Sequence, residues 1–316
     1  MKTFLWGYFG GFNVGDELIL SAELKLLGSQ NVVVVARGNA SYISKVHDVE
    51  VITYEQAITE VPFHRHIVGG GGLFQDSTSF YNMLYYLYPI LVGSSSVLLG
   101  VGIGPLRKRL SWHVLSNIMK GLSLAVVRDR LSYKFLTQYV GYEPVIMAPD
   151  MVFTLDVISD SRIYHEEDNI IVIPGPAIGM HWDALSTLTR GYKVTVVEFL
   201  PRQDSKWRQL YPSDWKVVSG IDALAAGELW DILESSCCWI TGRLHGMILS
   251  CLLGKPFYPI VYDAKMRLLM SDYCFISSYN MGYANINITE VGRIKEQATN
   301  VYSKVRQYLV GKGWVR

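Results

Sequence analysis

The chain has 316 residues, half of them hydrophobic and 18% charged, which excludes a disordered protein and leaves room for two domains with sizeable cores. Lys and Arg number 29 against 28 Asp and Glu, a net charge of +1, so the basic excess of a general nucleic-acid binder is absent. Aromatic residues reach 12%, with 20 Tyr and 8 Trp, a composition suited to flat or amphipathic ligands.

The first apolar run, around Leu5, ends at Gly7, and Asp16-Glu17 follow, so it is too short for a signal peptide. Leu18, Ile19, Ala22, Leu24 and Leu26 then recur at helical spacing, and Val32-Val33-Val34-Val35 reads as a buried strand. The pattern repeats with Ile67-Val68, a helix over 83–91, a strand over 97–101, a helix over 112–122, the strand Ala125-Val126-Val127 and a helix over 131–139. The stretch 77–106 carries no charge, but Pro89, Gly93 and the serines after it break it into a buried helix and a buried strand rather than a membrane span. An acidic, polar stretch over 156–168, with Asp160, Glu166 and Glu167, marks a domain boundary, which divides the chain into 1–160 and 161–316. Ile170-Ile171-Val172-Ile173 opens a second unit. Its further strands are 194–199, 217–218, 239–240 and 258–262, and an amphipathic helix over 289–309 closes it. Uninterrupted apolar strands alternating with helices predict an α/β class: two Rossmann-like domains with parallel sheets, facing a cleft, with the chemistry at the carboxyl ends of the strands.

The loops at those ends hold the candidate residues. The first, 7–17, brings Asn13, Asp16 and several glycines to a helix start. It suits either backbone approach to a ligand or a tight turn capped by Asp16. The second is Gly69-Gly70-Gly71-Gly72 followed by Asp76, and a run of glycines this long predicts close backbone contact with a ligand. The third, Gly100-Val101-Gly102-Ile103-Gly104-Pro105, resembles a dinucleotide fingerprint without completing it, and no P-loop is present. Arg128 ends a buried strand, which calls for an anionic partner, either a ligand or an acid of the chain such as Asp129. Thr241-Gly242-Arg243-Leu244-His245-Gly246 joins a guanidinium and an imidazole at a helix start, and Lys265 adds a cation after the next strand. Together Arg128, Arg243 and Lys265 suit an anionic substrate, although His245 read alone also fits a core histidine and Lys265 a solvated helix residue. His64-Arg65-His66 and His165-Glu166-Glu167 lack the ligand sets of metal sites. Cys237, Cys238, Cys251 and Cys274 form no C-x-x-C pair and read as buried, reduced thiols of a cytosolic protein.

Taken together, 7–20 (GYFGGFNVGDELIL), 69–77 (GGGGLFQDS), 100–106 (GVGIGPL), 128–132 (RDRLS), 148–153 (APDMVF), 241–254 (TGRLHGMILSCLLG) and 261–265 (VYDAK) resemble the polysaccharide pyruvyl transferase family. The branch most similar includes bacterial enzymes that place a pyruvate ketal on N-acetylmannosamine of secondary cell-wall polymers. Val101 stands where many relatives carry Gln, and 178–215 matches no motif. The resemblance implies a glycosyltransferase-B-like fold and transfer of pyruvate from phosphoenolpyruvate onto two hydroxyls of a sugar, with release of phosphate. It implies phosphoenolpyruvate as donor substrate, a sugar or lipid-linked saccharide as acceptor, and no cofactor or metal. A cytoplasmic location is expected, with peripheral association at the inner face of the membrane. The resemblance places a functional histidine at His245. Chemistry adds Asp76 or Asp150 as base toward the acceptor hydroxyl, and Arg128, Arg243, Leu244, Lys265, Asn13, Asp16, Gly70, Gly71 and Gly72 as binding residues. Two other readings are a nucleotide-sugar glycosyltransferase of the same fold and a non-catalytic glycan-binding protein.

Overall fold

A computed structural model describes residues 1–76, 80–156, 168–273, 276–280 and 283–316. The boundary expected at 160/161, Asp160, the His165-Glu166-Glu167 triplet, Ser77 and Cys274 lie outside these residues. The chain forms two compact units. The first comprises Met1–Gly11, Asp16–Leu155 and Lys295–Arg316, and the second Phe12–Gly15 and Asp156–Ile294.

The first unit is built on strands β1 (Thr3–Trp6), β2 (Val33–Ala36), β3 (Glu50–Thr53), β4 (Arg65–Val68), β5 (Gly71–Phe74), β6 (Ser95–Ile103), β7 (Leu124–Val127) and β8 (Val145–Met147). They run in the order β3-β2-β1-β4-β6-β7-β8, with β5 paired to β6, and every pairing is parallel. The central strands carry runs of apolar residues because helices cover both faces. Leu5, Val34, Ile67, Leu98 and Val126 are fully buried. The charge-free stretch contains the helix Phe80–Val92, with Pro89 inside it, followed by β6. Among the described residues no helix is long and apolar enough to cross a membrane.

The glycines of the third loop lie elsewhere than expected. Gly100 and Gly102 belong to the interior of β6. At Gly100, with φ +70°, a methyl group would press on Met151 and on the Tyr302 hydroxyl, each 2.9 Å away. Tyr302 belongs to the C-terminal helix Ile288–Gly311. From Lys295 onward this helix clusters with the first unit rather than closing the second. Tyr302 donates to the Pro149 carbonyl at 2.9 Å, Arg306 to the Leu26 carbonyl at 2.8 Å, and Thr3 to the Trp314 carbonyl at 2.6 Å.

The second unit holds β9 (Asn169–Ile173), β10 (Lys193–Glu198), β11 (Lys216–Ser219), β12 (Cys238–Thr241), β13 (Phe257–Pro259), β14 (Ile276–Asn280) and β15 (Tyr283–Ile286). Their order is β11-β10-β9-β12-β13-β15-β14, parallel from β11 to β13 and antiparallel at β15. The expected fold class, two Rossmann-like α/β units, is thus present.

Candidate functional site

In the second unit, β9 and β12 lie side by side, with Ile173 opposite Thr241. Beyond them the chain turns at Gly175 and Gly242. A methyl group on Gly175 would collide with the Gly242 backbone, so the two loops meet only as glycines. This close approach brings Arg243 to the Pro174 carbonyl, to which its Nε donates at 3.0 Å. An Nη2 hydrogen goes to Asp204, which is fully buried and also accepts from the Leu200 N–H at 2.9 Å. Two bonds fix the guanidinium plane, and among the described residues Nη1 has no protein partner. Thr241 Oγ1 accepts the Arg243 N–H at 3.2 Å and shapes the turn. Arg243 is the N-cap of the helix Leu244–Leu252, so half-buried Leu244 and His245 occupy its first turn, where backbone N–H groups and the helix dipole favour an anion.

His245 has a partner that spacing along the chain does not reveal. A methyl group on Gly15 would overlap the His245 ring, so the imidazole rests on a residue with no side chain. Gly15 stands near the start of the helix Val14–Leu27, where its N–H donates to Asn13 Oδ1 at 3.2 Å, while Val14 N–H donates to the Phe199 carbonyl at 2.9 Å. The loop read as one piece therefore divides, and Phe12–Gly15 cluster with the second unit. Asn13 caps a helix, and Gly15, absent from the residues picked out by sequence, seats the histidine. Lys265 lies in the first turn of the helix Ala264–Asp272, whose N-cap Asp263 accepts the Met266 N–H at 3.0 Å. The Tyr262 phenol is raised by burial and by Asp263, with Arg243 opposing.

In the first unit, Arg128 is buried with Asp150, Nη1 to Oδ2 being 2.6 Å. This is the internal pairing that the sequence left open. Burial works against its charge, but Asp150, Asp129 and Asp16 outweigh it and raise its pKa. Gly102 leaves space for the guanidinium, since a methyl there would stand 3.0 Å from Nε. Asp150 also caps the turn Met151–Thr154 by accepting the Val152 N–H at 3.1 Å.

The four-glycine run has a reason inside the protein. Gly69 and Gly70 lie against the helix Val14–Leu27: a methyl on Gly69 would overlap the Glu23 carboxyl, and one on Gly70 would stand 2.8 Å from Ile19. Gly70 N–H donates to Glu23 Oε1 at 2.6 Å. Gly71 has φ +93° and passes 3.0 Å from the buried Asp16 carboxylate, counted from a methyl built on it, and Gly72 continues β5. Glu23 is fully buried, and burial raises its pKa well above the carboxylate range, with Asp150 and Asp16 adding to the shift and the Gly70 N–H opposing it. Its burial was not legible in a sequence where it reads as one more polar helix position. Asp76 accepts the Arg107 N–H at 2.8 Å and the Lys108 N–H at 2.7 Å, just ahead of the helix Arg109–Ile118. Burial alone would raise its pKa, but those N–H groups and the Lys108 charge reverse this and lower it.

His66 is fully buried and occupied at both nitrogens, accepting from Trp6 Nε1 at 3.0 Å and donating to the Val61 carbonyl at 2.8 Å. Among the described residues no group of three or more His, Cys, Asp or Glu side chains is placed to hold a metal ion. Cys237 and Cys238 are half-buried rather than buried, Cys251 is buried, and none of the three is in a disulfide.

Several solved structures share this fold. An Anabaena protein, HepE, in complex with UDP and glucose superposes with a TM-score of 0.61 at 11% identity, covering 99% of each chain. UDP-GlcNAc 2-epimerase from Methanocaldococcus jannaschii gives 0.59 at 9% identity, covering 98% of this chain and 99% of the other. A functionally uncharacterised protein from Klebsiella pneumoniae gives 0.51 at 18% identity, covering 87% and 89%. At such identities the likeness shows the fold, of glycosyltransferase-B type. No curated relative matches the sequence. The sequence model of the polysaccharide pyruvyl transferase family matches residues 13–264, a span that takes in Asn13, Gly15, the glycine run, Arg128, Arg243 and His245. This chain therefore belongs to the polysaccharide pyruvyl transferase family.

Proposed function

We propose that the chain moves the pyruvyl group of phosphoenolpyruvate onto two hydroxyls of a sugar, in a cell-surface polysaccharide or its precursor, closing a ketal and releasing phosphate. The observation that supports this most is the anchored Arg243 beside His245 at one helix start, inside the segment matched by the family. Phosphoenolpyruvate carries a carboxylate and a phosphate. Arg243, with its plane fixed and Nη1 directed to no protein atom among the described residues, takes one anionic group as a charge-assisted fork. Lys265 and the N–H groups of the helix start take the other.

His245 gives a proton to the methylene carbon, which leaves an oxocarbenium-like centre at C2. A first sugar hydroxyl adds to C2 and loses its proton. The bond from C2 to the phosphate oxygen then breaks, phosphate leaves with the electron pair, and the second hydroxyl adds to C2 to close the ring. For the hydroxyl protons the candidate bases were Asp76 and Asp150. Asp76 spends its oxygens on two N–H groups and has a lowered pKa, and Asp150 spends both of its own on Arg128 Nη1 and the Val152 N–H, so we assign both to their loops and let the phosphate group of the donor take the hydroxyl protons. The second unit is the donor side in this reading, and the first the acceptor side. No metal or cofactor enters these steps, and the reaction is placed in the cytoplasm, at the inner face of the membrane.

Calorimetry with phosphoenolpyruvate in the presence of a chelator tests the donor assignment. Binding heat is expected for the wild type. Arg243→Ala and Lys265→Ala are expected to lose about tenfold to a hundredfold in affinity, the worth of one charge-assisted contact, with unchanged melting. Heat seen only with a divalent ion, or variants that unfold while keeping affinity, would count against it.

A further inference from the structure

We propose that the first unit carries a saccharide subsite at the carboxyl ends of β1, β2 and β3, formed by Arg37, Tyr54, Asn82 and the hydroxyl of Tyr85. It rests on the reading above that the acceptor is a sugar. The three strands are parallel neighbours, so the loops that leave them share one rim, the rim where open α/β sheets bind ligands. Arg37 follows β2, and its N–H donates to the Phe9 carbonyl at 3.1 Å, joining the loop after β1. Tyr54 follows β3 and is held by a capping box between Thr53 and Gln56. Asn82 and Tyr85 stand three residues apart on the helix Phe80–Val92 and so share a face. The Arg37 guanidinium lies 4.6 Å from the centroid of the Tyr85 ring, its Nη2 donates to Asn82 Oδ1 at 3.1 Å, and the Tyr54 ring is 4.7 Å from that of Tyr85.

Packing explains the rings but not the polar atoms. Tyr85 is only 5% exposed, and its hydroxyl oxygen is closed off from solvent with no hydrogen-bond partner among the described residues, so a sugar hydroxyl meets it once the Arg37 side chain stacked on the ring moves aside. Burying a phenol in this state is costly, and a phenylalanine would fill the same space without the cost. Arg37 is exposed, yet it is stacked on the ring and tied to Asn82 instead of extending into water. Half-buried Tyr54 offers an aromatic surface beside them. An aromatic face, a guanidinium fork, an amide and a hydroxyl together form the set that recognises a pyranose, with its C–H face on the ring and its hydroxyls on the polar groups.

Saturation-transfer NMR with the methyl glycosides of glucose, galactose and N-acetylmannosamine, without phosphoenolpyruvate, reads the site directly. Acceptor and phosphoenolpyruvate KM values read it in turnover. Tyr85→Phe removes one oxygen and is expected to weaken glycoside binding, and to raise acceptor KM, about threefold to tenfold. Arg37→Ala is expected to do so tenfold or more; both should leave phosphoenolpyruvate KM unchanged, while Tyr85→Phe should melt higher than wild type because it removes an unpartnered buried hydroxyl. Glycoside binding lost in the variants supports the subsite even where no phosphate is released, and in that case the pyruvyl-transfer reading alone falls. Transfer that proceeds with unchanged acceptor KM in both variants overturns the subsite and leaves that reading standing. Absence of binding and transfer with every glycoside also overturns the subsite.

Discussion

Gly15 and His245 lie far apart in sequence and touch in the fold, which makes this pair the sharpest residue-scale test of the chemistry. If His245 delivers the proton in the transition state, His245→Gln should lower kcat by about 10²–10⁴-fold while phosphoenolpyruvate affinity holds. Gly15→Ala should act in the same direction by displacing the ring. A raised KM with unchanged kcat would reduce His245 to a ground-state contact. The RLHG motif made the histidine legible as a candidate. Gly15 was not legible, because a glycine opening a helix reads as loop freedom until its neighbour is known. His66 supports a different residue-scale prediction. Burial chiefly, with the neighbouring His64, pulls its pKa down to about 4, against the pull of the Val61 carbonyl. Between that value and the unfolded value of roughly 6.5, only the unfolded chain binds the proton, so stability falls as pH falls through this window. The loss approaches about 3 kcal/mol at the lower end. Urea midpoints from pH 7.5 to 5 should show a shallower slope for His66→Asn than for wild type, and equal slopes would contradict the assignment.

At the scale of elements, the buried strands were the legible part. The apolar runs at Val33, Ile67, Val97, Ala125, Ile170 and Val194 all became strands, because strands buried on both faces carry uninterrupted Val, Ile and Leu over their central residues. The edge strands β3 and β8 were missed, since partial exposure mixes their sequences. β5 and the middle of β6 contain glycines that resemble loop signals, but these glycines admit the Asp16 carboxylate, the C-terminal helix and the Arg128 guanidinium to the sheet. Asp76 belongs to this scale because it organises a connection. Asp76→Ala leaves the Arg107 and Lys108 N–H groups without their carboxylate and should destabilise the fold by about 1.5–3 kcal/mol, the worth of hydrogen bonds to a charged group. Denaturant unfolding beside steady-state kinetics separates the roles. An unchanged midpoint with abolished kcat would restore Asp76 as the base.

For the whole molecule, the sequence carried the two-unit α/β plan and the family, while the path of the last helix needed the structure. Its amphipathic pattern announced a packed helix without saying against which unit it packs, and the bonds of Tyr302 and Arg306 decide that. The shared fold with UDP-GlcNAc 2-epimerases at 9% identity shows how little of the chain the architecture dictates. Function resides in the loops that end the strands. The proposed reaction is transfer of pyruvate from phosphoenolpyruvate to a sugar. Its most direct measurement is phosphate release from phosphoenolpyruvate across a panel of sugar and lipid-linked saccharide acceptors, with mass detection of the product. The expected result is acceptor-dependent phosphate release matched mole for mole by a pyruvyl ketal on the sugar, both lost in His245→Gln. Phosphate release without a pyruvylated product, or no turnover with any acceptor by a protein that binds phosphoenolpyruvate, would contradict it.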